Sequence, residues 1–115
     1  MPGELIVADF LVGPANPKDW VGLYKVDMIP GDVGSLAWFY VDGTKDGTEG
    51  VSTGAITFDS GMADDGDYKA VFFEDDGYTI LAETIFKAFG RAFRYAKEVD
   101  FLNNGNKPPS TKGVL

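Results

Sequence analysis

The chain contains no cysteine and no histidine among its 115 residues. The first absence excludes disulfides and thiolate chemistry. The second removes the commonest general base and the commonest transition-metal ligand, so any catalysis would rest on carboxylates, lysine, tyrosine or serine. No apolar run reaches the length of a membrane span. The N-terminus does not read as a signal peptide, because Glu4 and Asp9 interrupt its short apolar stretch. Basic residues are also scarce over most of the chain. Residues 1–86 hold four lysines (Lys18, Lys25, Lys45, Lys69) against sixteen acidic residues, a balance of -12. Such a body repels nucleic acid and anionic membrane, so neither is an expected partner.

What is present is a foldable, aromatic-rich sequence. Hydrophobic residues make up 44% and aromatics 14%, enough for one cored domain at this length. The first 86 residues read as short strands separated by Gly, Pro and Asp turns: Leu5 to Leu11, Trp20 to Val26, Leu36 to Val41, Val51 to Asp59, Tyr68 to Phe73 and Tyr78 to Phe86. Glu74-Asp75-Asp76-Gly77 reads as a hairpin loop between the last two. Gly66-Asp67-Tyr68 just before an apolar strand is the pattern of a tyrosine corner, whose hydroxyl bonds back to the preceding backbone. The fold expected is all-β, an immunoglobulin-like antiparallel β-sandwich of six to seven strands. Its core would include Ile6, Trp20, Leu23, Ile56, Phe58, Tyr68, Ala70, Phe72 and Ile80.

After Phe86 the sequence changes character. Residues 87–115 carry six basic residues and only Glu98 and Asp100 as acids, +4 in all. Phe86, Phe89, Phe93 and Ala96 recur at intervals of three and four, which suits a short helix. Phe89, Arg91, Phe93 and Tyr95 equally suit one face of a continued strand. The helix is the preferred expectation. The chain therefore divides into a β-body over 1–86, a basic aromatic extension over 87–102 packed on the body or a partner, and a tail or linker over 103–115.

The stretch Asn16-Pro17-Lys18-Asp19-Trp20-Val21-Gly22-Leu23-Tyr24 resembles the N-x-x-D-W-I-G-I-Y/F motif of SKICH-type domains and of related Ig-like domains in bacterial secreted proteins. Trp38 and Tyr40 match a following W-x-Y strand. Gly66, Tyr68, Ala70, Phe73, Asp76, Gly77 and Tyr78 match a later hairpin pattern. The resemblance covers roughly Leu5 to Phe86 and implies an accessory or protein-contact domain without catalysis, in an extracellular setting. The sequence departs from the pattern in two places. The strand usually found before Leu5 is short or absent, and the basic aromatic tail is additional.

Trp20 reads as a core tryptophan packed between the sheets beside Tyr68, with an exposed sugar platform as the alternative; Gly22 leaves room for a large neighbour. Asp19 is expected to cap its loop through its side-chain oxygens. In Trp38-Phe39-Tyr40, alternation sends either Phe39 or the pair Trp38 and Tyr40 outward. An outward pair would make a flat surface for a sugar or a protein. Trp38, Tyr40 and Tyr78 are the candidate ligand contacts, and the partner is a glycan or another protein. Asp64/Asp65/Asp67 and Glu74/Asp75/Asp76 are candidate Ca²⁺ loops by composition, although ordinary turn chemistry explains the same residues. No other cofactor is expected. Phe89, Arg91, Phe93, Arg94 and Tyr95 are candidate partner contacts. If the first sandwich strand is missing, the open edge invites self-association through the extension, and intramolecular cover by the same segment is the competing reading.

Overall fold

The computed structural model describes residues 5–11, 13–59, 64–88 and 96–101. Every element among them is a strand: β1 (Leu5–Phe10), β2 (Trp20–Lys25), β3 (Ala37–Tyr40), β4 (Gly54–Phe58), β5 (Gly66–Glu74), β6 (Thr79–Ala88) and β7 (Ala96–Asp100). They form a three-stranded sheet in the order β4-β1-β7 and a four-stranded sheet in the order β3-β2-β5-β6. The expected all-β class and the positions of the first six strands agree with this arrangement.

Alternation builds the core. Ile6, Ala8 and Phe10 of β1 bury one face of the small sheet together with Ile56 and Phe58 of β4 and Val99 of β7. Against them lie Val21 and Leu23 of β2, Tyr68, Ala70 and Phe72 of β5, and Phe86 and Ala88 of β6, in one continuous cluster. The tyrosine corner forms as expected: Tyr68 is buried, and its hydroxyl donates to the Asp64 carbonyl at 2.6 Å. The ring fills the core while its polar end stays satisfied.

Two residues expected in that core lie elsewhere. Trp20 shares a face with Gly22 and Tyr24, opposite Val21 and Leu23, so it packs outside the four-stranded sheet on Tyr24, Val71 and Phe73. Tyr68 is on the other face. Ile80 is 49% exposed. The β5–β6 pairing shifts between Phe72 and Phe73: Phe72 faces Ala82 and Phe73 faces Ile80, leaving Leu81 as an extra residue. That bulge reverses the alternation of β6 and turns Ile80 outward.

The extension is strand at Lys87 and Ala88 and over Ala96–Asp100. Phe86, Lys87 and Ala88 end β6, and Ala96–Asp100 forms β7, so the helix expected from Phe86 to Ala96 is not present at either end of that span. β7 pairs in parallel with β1, Leu5 facing Ala96 and Asp9 facing Asp100. The flank of β1 that the sequence left open is thus filled by the same chain. Phe89, Arg91, Phe93, Arg94 and Tyr95 lie outside the described residues, as do residues 102–115.

Candidate functional site

Three pieces of chain converge on the outer face of the four-stranded sheet. β2 contributes Trp20 and Tyr24, and β3 contributes Trp38 and Tyr40; the register sets Trp20 opposite Tyr40 and Gly22 opposite Trp38. The β5–β6 turn contributes Asp76 and Tyr78. With Gly34 and Ser35 of the β2–β3 connection, these residues line a cleft of about 420 Å³, within the size range of small-ligand sites.

Gly22 makes the floor possible. A Cβ there would lie 2.9 Å from both the Trp20 and the Tyr24 rings. Its absence lets both rings lie down on the sheet. Trp20 then stacks on Phe73 of the neighbouring strand at 4.2 Å and 25°. Phe39 takes the opposite face of β3 and packs on the core against Phe58, which is why Trp38 and Tyr40 are the residues directed outward. They do not form the flat surface expected of them: their rings meet at 5.0 Å and 87°. Trp38 and Tyr78 also stand nearly perpendicular to Trp20, at 78° and 81°.

The turn is held by hydrogen bonds from the loop before β2. Asp19 is fully buried, and its carboxylate accepts the amides of Asn16 at 3.0 Å and Asp75 at 2.9 Å. It therefore caps its own loop, as expected, and also grips a hairpin distant in sequence. The Asp76 amide donates to the Lys18 carbonyl at 2.8 Å, and the Trp20 indole donates to the Gly77 carbonyl at 3.0 Å. These contacts hold Asp75 and Asp76 in left-handed backbone, with φ of 51° and 65°, a conformation that aspartate tolerates better than most residues. The Asp76 carboxylate accepts the Tyr40 hydroxyl at 2.8 Å.

Two of the tyrosine walls are held neutral. Burial, and then the neighbouring Tyr78, push the Tyr24 phenol up to about 12. The hydrogen bond to Asp76, assisted by burial, raises the Tyr40 phenol. Both stay protonated at physiological pH, so Asp76 is the one charged residue lining the cleft. Two lysines lie near the same rings without lining it. Lys45 sits 4.0 Å from the Trp38 ring centre and donates to the Trp38 carbonyl; partial burial lowers its pKa. Lys18 sits 4.9 Å from the Tyr40 ring centre.

Trp38, Tyr40 and Tyr78, the ligand contacts expected from sequence, thus come together in one cleft. Sequence reasoning missed Tyr24 and placed Trp20 on the wrong face. The available signal was Trp-x-Gly-x-Tyr, two aromatics flanking a glycine on one strand face. In the first acidic loop, Asp64 pairs with Lys25 at 3.4 Å and Asp67 with Lys87 at 3.1 Å. Among the described residues no group of three or more acidic side chains converges as a metal site.

No family model matches the chain, and no solved structure matches it. A stretch of 34 residues is 68% identical to the imidazoleglycerol-phosphate dehydratase of Bordetella avium, covering 30% of this chain and 17% of that protein. A stretch of 33 residues is 67% identical to the same-named protein of Teredinibacter turnerae, covering 29% and 16%. The chain therefore spans about a sixth of the length of the curated relatives it matches.

Proposed function

We propose that this chain is an immunoglobulin-like binding module that engages a glycan or protein partner through its aromatic cleft and does no chemistry there. The strand order supports the first part. Read as B, C, C′, E, F and G, strands β1 to β6 follow an immunoglobulin-like order, with B beside E and C′-C-F-G together, and no described strand takes the place of D. Tyr68 then stands at the start of F, the usual place of the tyrosine corner. β7 takes the flank of B that strand A normally holds, but runs parallel to it. The resemblance to SKICH-type and related accessory domains points the same way.

The observation that carries the binding reading is the convergence of Trp20, Tyr24, Trp38, Tyr40 and Tyr78 on one cleft. Trp20, Trp38 and Tyr78 keep ring surface uncovered, while Tyr24 and Tyr40 are buried beside them; uncovered rings supply large contact area at little entropic cost. The donor set supports the non-catalytic part of this reading. The chain has no histidine or cysteine, and a glycosidase needs two facing carboxyls where this cleft offers Asp76 alone. Glycan and peptide arrays, read with the wild type and with Trp38→Ala, test the proposal. A hit lost in the variant is expected; hits indifferent to Trp38 would overturn it.

A second reading has its own observation. β7 adds to the flank of β1 by parallel backbone pairing, and a neighbouring copy's β7 could make the same ladder, giving a self-assembling subunit. Light scattering across concentrations separates the two, since a monomer throughout removes this reading. The dehydratase likeness supports a third, in which the chain carries part of an enzyme. Turnover of imidazoleglycerol phosphate by the isolated chain would replace the binding-module proposal.

A further inference from the structure

We propose that the aromatic cleft is a cage for a methylated ammonium group, the cationic head carried by choline or by trimethyllysine. This rests on the cleft being the binding site and adds which chemical group it takes.

The ring geometry gives the first argument. A sugar stacks on a flat aromatic platform. Here Trp20–Trp38, Trp20–Tyr78 and Trp38–Tyr40 meet at 78°, 81° and 87°. Walls in crossed planes suit a rounded group that touches several rings at once. A trimethylammonium head has that shape, and recognition of such cations by aromatic cages is a recurrent use of the cation–π attraction.

Charge gives the second. The eight lining residues include one carboxylate, Asp76, and no base. Asp76 accepts the Tyr40 hydroxyl, and its carboxylate is the acidic group facing a cation that donates no hydrogen bond. Residues 1–86 as a whole carry -12, which attracts cations over a longer range. The protein's own ammonium groups already use these rings, Lys45 on Trp38 at 4.0 Å and Lys18 on Tyr40 at 4.9 Å, and neither lysine lines the cleft. A phosphate or carboxylate ligand would meet Asp76 with no compensating base among the lining residues.

The test titrates the full chain with choline, tetramethylammonium and a trimethyllysine peptide, following the fluorescence of Trp20 and Trp38 at fixed ionic strength. The neutral isostere 3,3-dimethylbutan-1-ol and the unmethylated peptide serve as controls. The cage predicts saturation by the methylated cations, with the neutral alcohol about tenfold weaker or worse. Asp76→Asn removes the charge while keeping a residue at ease in left-handed backbone; it should weaken cation binding by roughly tenfold and leave the alcohol unchanged. Trp38→Ala should abolish saturation, and Tyr78→Ala, at a more exposed ring, stands in if that variant does not fold. Tighter binding of choline than of the peptide assigns a free small molecule as the source, and the reverse order assigns a modified protein. Equal affinity for the alcohol, or no saturation by any cation in the folded wild type, overturns the cage. An array hit that depends on Trp38 without cation binding overturns the cage and leaves the binding module standing.

Discussion

The buried carboxylate of Asp19 accepts the backbone amide of Asp75 at 2.9 Å, 56 residues away in sequence. Its other oxygen accepts the amide of Asn16, so one side chain ties the loop before β2 to the hairpin that presents Asp76 and Tyr78. Both amides lose their acceptor in Asp19→Ala. We expect a loss of about 3 kcal/mol in chemical denaturation, from two part-buried donors left unpaired. Ligand binding at the cleft should weaken further than stability alone explains, because the hairpin loses its anchor. A variant as stable as wild type would show that water replaces the carboxylate at no cost.

Gly22→Ala tests the floor of the cleft. The added methyl would press on the Trp20 and Tyr24 rings at 2.9 Å. Both side chains must shift, at a cost of roughly 1–3 kcal/mol. The stacking of Trp20 on Phe73 should be disturbed, which near-ultraviolet circular dichroism reads directly. An unchanged spectrum with full binding would mean that the rings do not need the space.

Thr84 is buried, and its hydroxyl has no hydrogen-bond partner among the described residues. Thr84→Val keeps the shape and removes the unsatisfied group. Stability should rise by about 1 kcal/mol. A destabilised valine variant would reveal a partner for the hydroxyl.

Asp9 faces Asp100 across the β1–β7 ladder, with Glu98 nearby on the same strand. Burial, then Glu98, then Asp100 raise its pKa above the ordinary 3.8. A carboxyl whose folded pKa is raised opposes folding once it ionises. Its penalty is fully present above the folded pKa and vanishes as pH falls below the ordinary value. Asp9→Asn should therefore stabilise the protein at pH 7 by about 0.5 kcal/mol, the scale of a like-charge pair placed directly opposite. The gain should disappear below about pH 4. Melting curves of both proteins across that range check the sign, and a constant difference at all pH values would locate the effect elsewhere.

How much of this was legible beforehand depends on whether local or distant contacts decide a feature. The tyrosine corner was readable because Tyr68 and its acceptor Asp64 are four residues apart. Asp19 as a loop cap was readable for the same reason, through Asn16. Its second bond, to Asp75, has no local signature. Trp38, Tyr40 and Tyr78 were readable as candidates from type and position, but their perpendicular packing depends on Trp20, which belongs to another strand.

The sequence by itself determined the all-β class, the six strands of the body and the turns between them, because residue alternation and Asp/Gly chemistry act within a few positions. Only the tertiary structure decided which face of each strand is core. Alternation offers two faces of equal local merit, and cross-strand register chooses between them. That choice put Trp20 outside, and the bulge at Phe72/Phe73 put Ile80 outside with it. Tertiary pairing also decided the extension: Ala96–Asp100 is a strand because the free edge of β1 supplies backbone partners that no helical periodicity can reveal.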